Sequence, residues 1–428
     1  MSDFSTLVTD SATTTFEQIA RRAYGDEGLA YYVANANPGV FEPISPGLTL
    51  RIPKHRYTSV NRATGEQTFS PSVTRSKAET VNKGSDVRIL VNGKTIATWL
   101  TVNLDTSLTQ VASLNFTIFY DESQIIQLDI LQPFSYQPVE MYVNDVRVFV
   151  GTVVSIQPSV SADGVTFAFA AYATCGVLND CTLPISAYPS EYAEIGLFTL
   201  CRKLCEPFGI SVSVYGWEDP EPIVLEASLR PGSTVLGFIK QLCEQHGVNV
   251  TSTYDGQLLL FRPNPQGAPV FRFREGEPPL LTIETTYNGQ QYYSDLTAIE
   301  TIEAGFGGEP YTDINPFART VLRPFVFETK ETDDAGAKVY AEQKSSQMFG
   351  ESIRYTIGVS QWFDISGTMW RLQQTVQLKS PSALIRSDYE FMIAGVSFTK
   401  DANSETASLT LVLPEAYSNR KPKILPWQ

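Results

Sequence analysis

The spacing of apolar residues changes along this chain, and each change marks a different kind of element. In residues 13–53 ("TTTFEQIARRAYGDEGLAYYVANANPGVFEPISPGLTLRIP") the first spacing is helical, with Phe16, Ile19, Ala20 and Ala23 on one face. Thr14 or Thr15 serves as N-cap, Glu17 or Gln18 completes a capping box, and Gly25 stops the helix. "EGLAYYVANANP" predicts a second helix ended by Asn37-Pro38, and "PGLTLRIP" a strand behind a Pro-Gly turn. Residues 55–85 then lose both apolar content and periodicity, which predicts an extended linker.

From Val87 the pattern alternates. "VRILVNGKTIATWLTVNL" places two strands around Asn92-Gly93, a strong hairpin signal, and "VEMYVNDVRVFVGTVVSIQPS" another hairpin around Asn144-Asp145. "ASLNFTIFY" and "GVTFAFAAYA" complete a set that predicts an antiparallel barrel or sandwich. A repeat follows. "LFTLCRKLCEPFGISVSV" and "VLGFIKQLCEQHGVNVTS" align Leu204-Cys205-Glu206 and Gly209 with Leu242-Cys243-Glu244 and Gly247. Each copy is an amphipathic helix, a glycine stop and a strand. "YEFMIAGVSFTKDANSETASLTLVLP" near the end echoes "VRVFVGTVVSIQPSVSADGVTFAFAAYA".

The fold expected is therefore mainly β with an α/β insert: two tube-like antiparallel β-barrel domains flanking duplicated small α/β units. The boundaries expected are an N-terminal module over 1–54, a linker over 55–85 and a first barrel over 86–180. The α/β units take 181–265, a second barrel with long loops takes 266–417, and a tail takes 418–428.

Composition narrows the function. The 428 residues are 43% apolar and 18% charged, ordinary for a globular chain, with a net charge of −14. That balance disfavours nonspecific nucleic-acid binding, which needs a basic surface to release counterions. "MSDFSTLVTDSATTT" has no basic or apolar region of a signal peptide, no apolar run reaches membrane-span length, and the five cysteines read as reduced thiols. These features predict folding in the cytosol without membrane insertion.

Chemistry is sparse. His55 opens the linker and His246 ends a helix, where a cation is favourable for structural reasons alone; no triad-like neighbour accompanies either. Cys201, Cys205, Cys243 and His246 could present zinc ligands on two helices. Without a tight C-x-x-C knuckle, the alternative is that Cys205 and Cys243 fill equivalent core positions. "GFGGEP" at 305–310 lacks the following helix of a phosphate loop. No catalytic residue, cofactor or metal site is expected.

Residues 13–53 resemble the LysM fold, in particular the small LysM-like "tail protein X" of contractile phage tails. The resemblance is carried by "RRAYG", Ala36-Asn37-Pro38 and "PGLTLRIP". It departs from glycan-binding modules at the first loop, where Gly-Asp-Thr is usual and "SATTT" stands here. Residues 86–415 resemble contractile-phage baseplate hub proteins, the Mu-like hub and late-control protein D family. Here the carriers are the segment from "VRILVNGKT" through "LNFTIF", "VGTVVSI", the paired "LCExxG" units and the last hairpin.

The resemblance implies a homotrimeric ring in the virion baseplate, assembled in the host cytoplasm, that joins a sixfold tail tube to a threefold central spike. Its other partners would be baseplate wedge or tube-associated proteins, with DNA only passing through the lumen. The module would dock to protein, with Tyr24, Tyr31, Tyr32, Asn37 and Phe41 as candidate contacts; Tyr31, Tyr32 and Phe41 read as core and interface aromatics in preference to the lining of a sugar groove. In the tail "SNRKPKILPWQ", Trp427 is a candidate contact with a neighbouring subunit or the spike, or else folds back on its own barrel. The competing function is a LysM-targeted peptidoglycan-binding protein or cell-wall hydrolase.

Overall fold

The computed structural model describes residues 4–10, 15–24, 30, 33, 37, 40, 43–53, 85–96, 99–120, 130–161, 164–216, 223–263, 268–302, 305–306, 310–318, 321–329, 334–364, 366–417, 421–422 and 424–428. They divide into two units, Met1–Asn82 and Lys83–Gln428. The chain is mostly β.

In the first unit β1 (Phe4–Val8) pairs antiparallel with β2 (Thr49–Pro53). The helix Phe16–Tyr24 packs Ile19 and Ala20 into a core with Val33, Ile44, Leu50 and Ile52. Its N-terminus is a reciprocal capping box. Gln18 N donates to Thr15 Oγ1 at 3.3 Å and Thr15 N to Gln18 Oε1 at 3.2 Å. β1 was not legible in the sequence, because five residues carry too few alternations. Most of the second helix and all of the expected linker over 55–85 except Ser85 lie outside the described residues.

The larger unit opens with β3 (Val87–Val91), β4 (Lys94–Ile96), β5 (Trp99–Ser107), β6 (Ser113–Phe119), β7 (Pro138–Val143), β8 (Val146–Ser161) and β9 (Gly164–Ala173). Their order in space is β5-β6-β9-β8-β7-β3-β4. The insert adds β10 (Glu191–Gly196), β11 (Val212–Tyr215), β12 (Ile223–Ser228), β13 (Asn249–Ser252) and β14 (Leu258–Phe261). β10 pairs with β12, while β14 lies between β11, parallel to it, and β13, antiparallel to it. The helices Leu197–Cys205 and Val235–Gln245 each precede a glycine at positive φ, Gly209 at 67° and Gly247 at 75°. That conformation costs a glycine nothing and turns each helix into its strand, β11 or β13.

After the insert come β15 (Phe271–Arg274), β16 (Leu280–Tyr287), β17 (Asp295–Ile302), β18 (Gly305–Phe306), β19 (Tyr311–Ile314), β20 (Pro324–Thr329), β21 (Ile353–Val359), β22 (Thr375–Ser380), β23 (Ile385–Asp401) and β24 (Glu405–Val412). Six of them are ordered β16-β21-β24-β23-β22-β15. This repeats the first half strand for strand, except that β4 has no counterpart and β15 runs parallel to β22 where β3 runs antiparallel to β7.

Two separate barrels were expected. The structure instead joins both halves into one thirteen-stranded sheet, and no ladder among the described residues closes either half. The reason lies in β23. One of its edges pairs with β22 through residues 385–392 and with β5 through residues 395–401. A strand has only two edges, so the stretch bound to β5 cannot close its own half. Long loops were also expected between 263 and 344. There the chain builds a four-stranded sheet of β17–β20 with the helix Asp334–Ser352 against it. That helix shows no apolar stripe because small and polar residues, among them Ala341, Gln343, Ser345 and Ser346, are buried along it.

The core is continuous under the large sheet. Trp362 and Trp370 are fully buried, and their indole N–H groups donate to Thr406 O at 2.8 Å and Gln361 O at 2.9 Å. The C-terminal tail folds back on this unit. Leu425 is buried, Tyr389 donates its hydroxyl to Ile424 O at 2.7 Å, and Trp427 stacks edge-on against Tyr287 at 5.3 Å. Lys421 pairs with Asp313 at 2.7 Å.

Two predictions follow from these contacts. Glu405 accepts from Ser85 N at 2.7 Å, Ser85 Oγ at 2.5 Å and Lys400 Nζ at 2.5 Å, tying the start of the sheet to its last hairpin. Burial raises its pKa, but the Lys400 and Ser85 hydrogen bonds outweigh burial and hold it below the usual carboxylate value. A depressed carboxylate pKa stabilises the fold above the unfolded value and loses that contribution as pH falls through the folded value. Glu405→Gln should cost about 1–3 kcal/mol at neutral pH. In denaturant melts the gap to wild type should narrow as pH drops below the ordinary glutamate range.

The second concerns the tail. Truncation after Tyr417 removes the Leu425 and Trp427 contacts and should destabilise the chain by about 2–3 kcal/mol. An unchanged melting temperature would contradict the self-packed tail.

Candidate functional site

The large sheet buries one face and leaves the other open around the join of its halves, while Met392 and Val412 on that other face belong to a second, small buried cluster. Val102, Leu104, Leu114, Phe116, Phe169, Val396, Phe398 and Leu409 fill the core side. Because side chains alternate along a strand, their neighbours point the opposite way, and the register aligns them in rows. One row runs Ser155, Ala170, Asn115, Asn103, Thr399, Thr406, crossing β8, β9, β6, β5, β23 and β24. A second runs Gln157, Ala168, Thr117, Thr101, Asp401. A third extends from Thr152 through Tyr172, Ser113, Asp105, Ser397, Ser408 and Gly358 to Thr282.

These rows hold small neutral side chains with two aspartates, one tyrosine and no lysine or arginine. In front of the first two lies a groove of about 440 Å³. The seam between the halves is hydrogen-bonded within this face. Asn103 Oδ1 accepts from Ser397 Oγ at 2.9 Å and Thr399 Oγ1 at 3.2 Å, while its Nδ2 donates to Asp105 at 2.8 Å. These rows offer a passing polyanion no fixed cation to release counterions against; the arginines on the same side, such as Arg354 on β21 and Arg88 on β3, lie outside them. Their polar groups at the seam are already partnered, so they are not a sticky surface for an extended chain either. Sequence reading missed Asn103, Ser397 and Thr399. The signal was present in "TVNLDTS" and "SLNFTIF", whose outward positions are polar apart from Phe119 at the end of the second, but only register shows that they line up.

The residues singled out from the sequence have other placements. Asn37 is buried in the first unit. Its amide donates to Val33 O and Arg51 O, each at 2.7 Å, and its Oδ1 accepts from Arg51 N at 2.7 Å, so the side chain is spent on pinning β2. Tyr24 ends the helix Phe16–Tyr24, and Tyr31, Tyr32 and Phe41 lie outside the described residues. Trp427 lies in the second unit against Tyr287.

Cys201, Cys205 and Cys243 are fully buried core residues. Burial pushes the Cys205 thiol up and that of Cys175 up to about 12, which keeps both protonated and inert. Among the described residues no cluster of three or more histidine, cysteine or acidic side chains could hold a metal ion, and no helix is long and apolar enough to cross a membrane.

Comparison with known proteins places this architecture. Residues 175–262, the α/β insert, match the family described as baseplate hub protein gp44-like, second domain. No curated protein matches the chain. The 43 kDa tail protein of prophage MuSo2 from Shewanella oneidensis superimposes with a TM-score of 0.67 at 20% identity, over 78% of this chain and 99% of that one. A tail protein from Neisseria meningitidis gives 0.67 at 17% identity, over 79% and 100%. An E. coli component of the type VI secretion system gives 0.51 at 9% identity, over 79% and 80%. At these identities the likeness is one of fold: this chain has the β-rich fold of tail proteins, and its insert is similar to the second domain of gp44-like baseplate hubs.

Proposed function

We propose that this chain is the structural hub of a contractile phage-tail baseplate or a related injection machine. In this reading three copies form a ring that joins a sixfold tail tube to a threefold central spike. The observation that carries it is the internal repeat. The two halves share one strand order, β5-β6-β9-β8-β7-β3 and β16-β21-β24-β23-β22-β15, and are already joined edge to edge through β5 and β23. Three such chains present six similar sheet units around an axis, and closed cyclic symmetry is the usual state of homo-oligomers. The resemblance of the insert to a baseplate-hub domain supports the same reading.

The polar rows across the seam, which hold no lysine or arginine, then line the lumen. DNA passing through meets hydroxyls and amides in place of cations, and the net charge of −14 adds a weak repulsion. The first unit acts as a docking module to neighbouring baseplate proteins, and the chain has no catalytic role.

Native mass measurement of the purified protein should give three chains; a monomer at high concentration would overturn the ring. Deleting residues 1–80 should leave the ring intact and uncouple it from the baseplate, and normal baseplate assembly by that variant would refute docking by the module. Lysines placed on the open face, as in Thr101→Lys with Asn115→Lys, should permit assembly but lower DNA delivery at least about tenfold, since each added cation holds phosphate.

A further inference from the structure

The repeat fixes more than the number of units. β5 and β16 carry the same irregularity, a register shift against the next strand between Trp99 and Thr101 and between Leu280 and Thr282. β8 and β23 share another, between Val153 and Ser155 and between Ile393 and Gly395. Counting from these bulges, residues 101–107 match 282–288, and residues 395–401 match 155–161. Within the chain the first pair of matches is a completed ladder, from Gly395↔Ser107 to Asp401↔Thr101. The corresponding stretches, 282–288 and 155–161, are both vacant edges among the described residues.

β16 pairs on one side only, with β21. Its other side faces an open cleft of about 550 Å³, beside which Leu281 is 57% exposed. β8 leaves β7 at Thr152, so residues 155–161 pair only with β9, and Val160 is 79% exposed. Long, unpaired and partly apolar edges are a liability that proteins ordinarily cover.

We infer that the β16 edge of one copy pairs with residues 155–161 of β8 in the next copy, repeating between chains the seam that β5 and β23 make within one. This rests on the ring reading above and assigns its contact. The equivalence predicts an antiparallel register with Glu284 opposite Ser159 and Thr286 opposite Gln157. The side chains agree with it. In the internal seam Asn103 accepts from the hydroxyls of Ser397 and Thr399. At the matching positions Glu284 is an acceptor, and Gln157 and Ser159 are donors. Pro158, which matches Phe398, has no N–H, so the neighbour that this position faces receives one donor fewer.

The test is a disulfide between two different chains. Full-length Ser159→Cys and Glu284→Cys variants are co-expressed and oxidised. A covalent dimer containing one of each is expected, with far less from Val160→Cys plus Glu284→Cys, which stand one residue out of register and on opposite faces. Asn103→Cys with Thr399→Cys in one chain should close internally and shows that the geometry permits the bond. Glu284→Lys, which removes the acceptor, should weaken assembly about tenfold or more, while Glu284→Gln should spare it. If the internal control closes, native mass gives three chains and the 159–284 link fails to form, the seam is wrong and the ring survives. A monomer at high concentration overturns both.

Discussion

A β-strand has two edges and no more, and the large unit is organised by how β23 spends one of them. Its first residues stay with β22 in their own half, and its last residues bind β5 of the other half. That choice converts two potential barrels into one sheet. It also makes the core continuous and brings the polar faces of both halves into register. Glu405 sits where this matters, holding Ser85 at the start of the sheet to the hairpin of β23 and β24. The hairpin is fixed further by Trp362, whose N–H reaches Thr406 across the turn.

Much of this was legible in the sequence, and the failures are instructive. The hairpins around Asn92-Gly93 and Asn144-Asp145 announce themselves because the turns need positive φ, observed at Asn92 and Asn144. The paired "LCExxG" helices were legible through their glycine stops, and the echo of the last hairpin through alternation. What alternation cannot carry is which edges meet. The joining of β5 to β23 spans almost 300 residues of sequence and depends on the whole sheet, so two closed barrels looked equally good. The helix Asp334–Ser352 escaped for a different reason: it is buried on several sides by small and polar residues, which erases the stripe that periodicity detects.

The candidate site was less legible than the fold, and its chemistry explains why. Residues that catalyse or bind metal stand out as rare types at characteristic spacings. The rows that cross the seam are built mostly from serine, threonine, asparagine, glutamine and alanine, the commonest outward residues of any solvated strand. Their meaning appears only when register lines them up across both halves without an intervening lysine or arginine. The conspicuous residues, by contrast, serve the fold. The cysteines pack the insert, Asn37 pins β2, and Trp427 closes the tail against Tyr287.

The same economy of edges bears on assembly. An open sheet with a vacant edge in each half invites pairing, and pairing between different edges of identical chains is head-to-tail. Such contacts close into a ring if each step turns through the same fraction of a circle, and otherwise run on as a filament. The internal seam sets one such turn, shaped by the bulges that coil β5 and β23. β16 and β8 carry bulges at the matching positions, so an external seam between them would turn as the internal one does. Closure then requires no feature beyond the repeat itself. The small neutral side chains fit the same geometry, since a sheet coiled around an axis crowds whatever points inward.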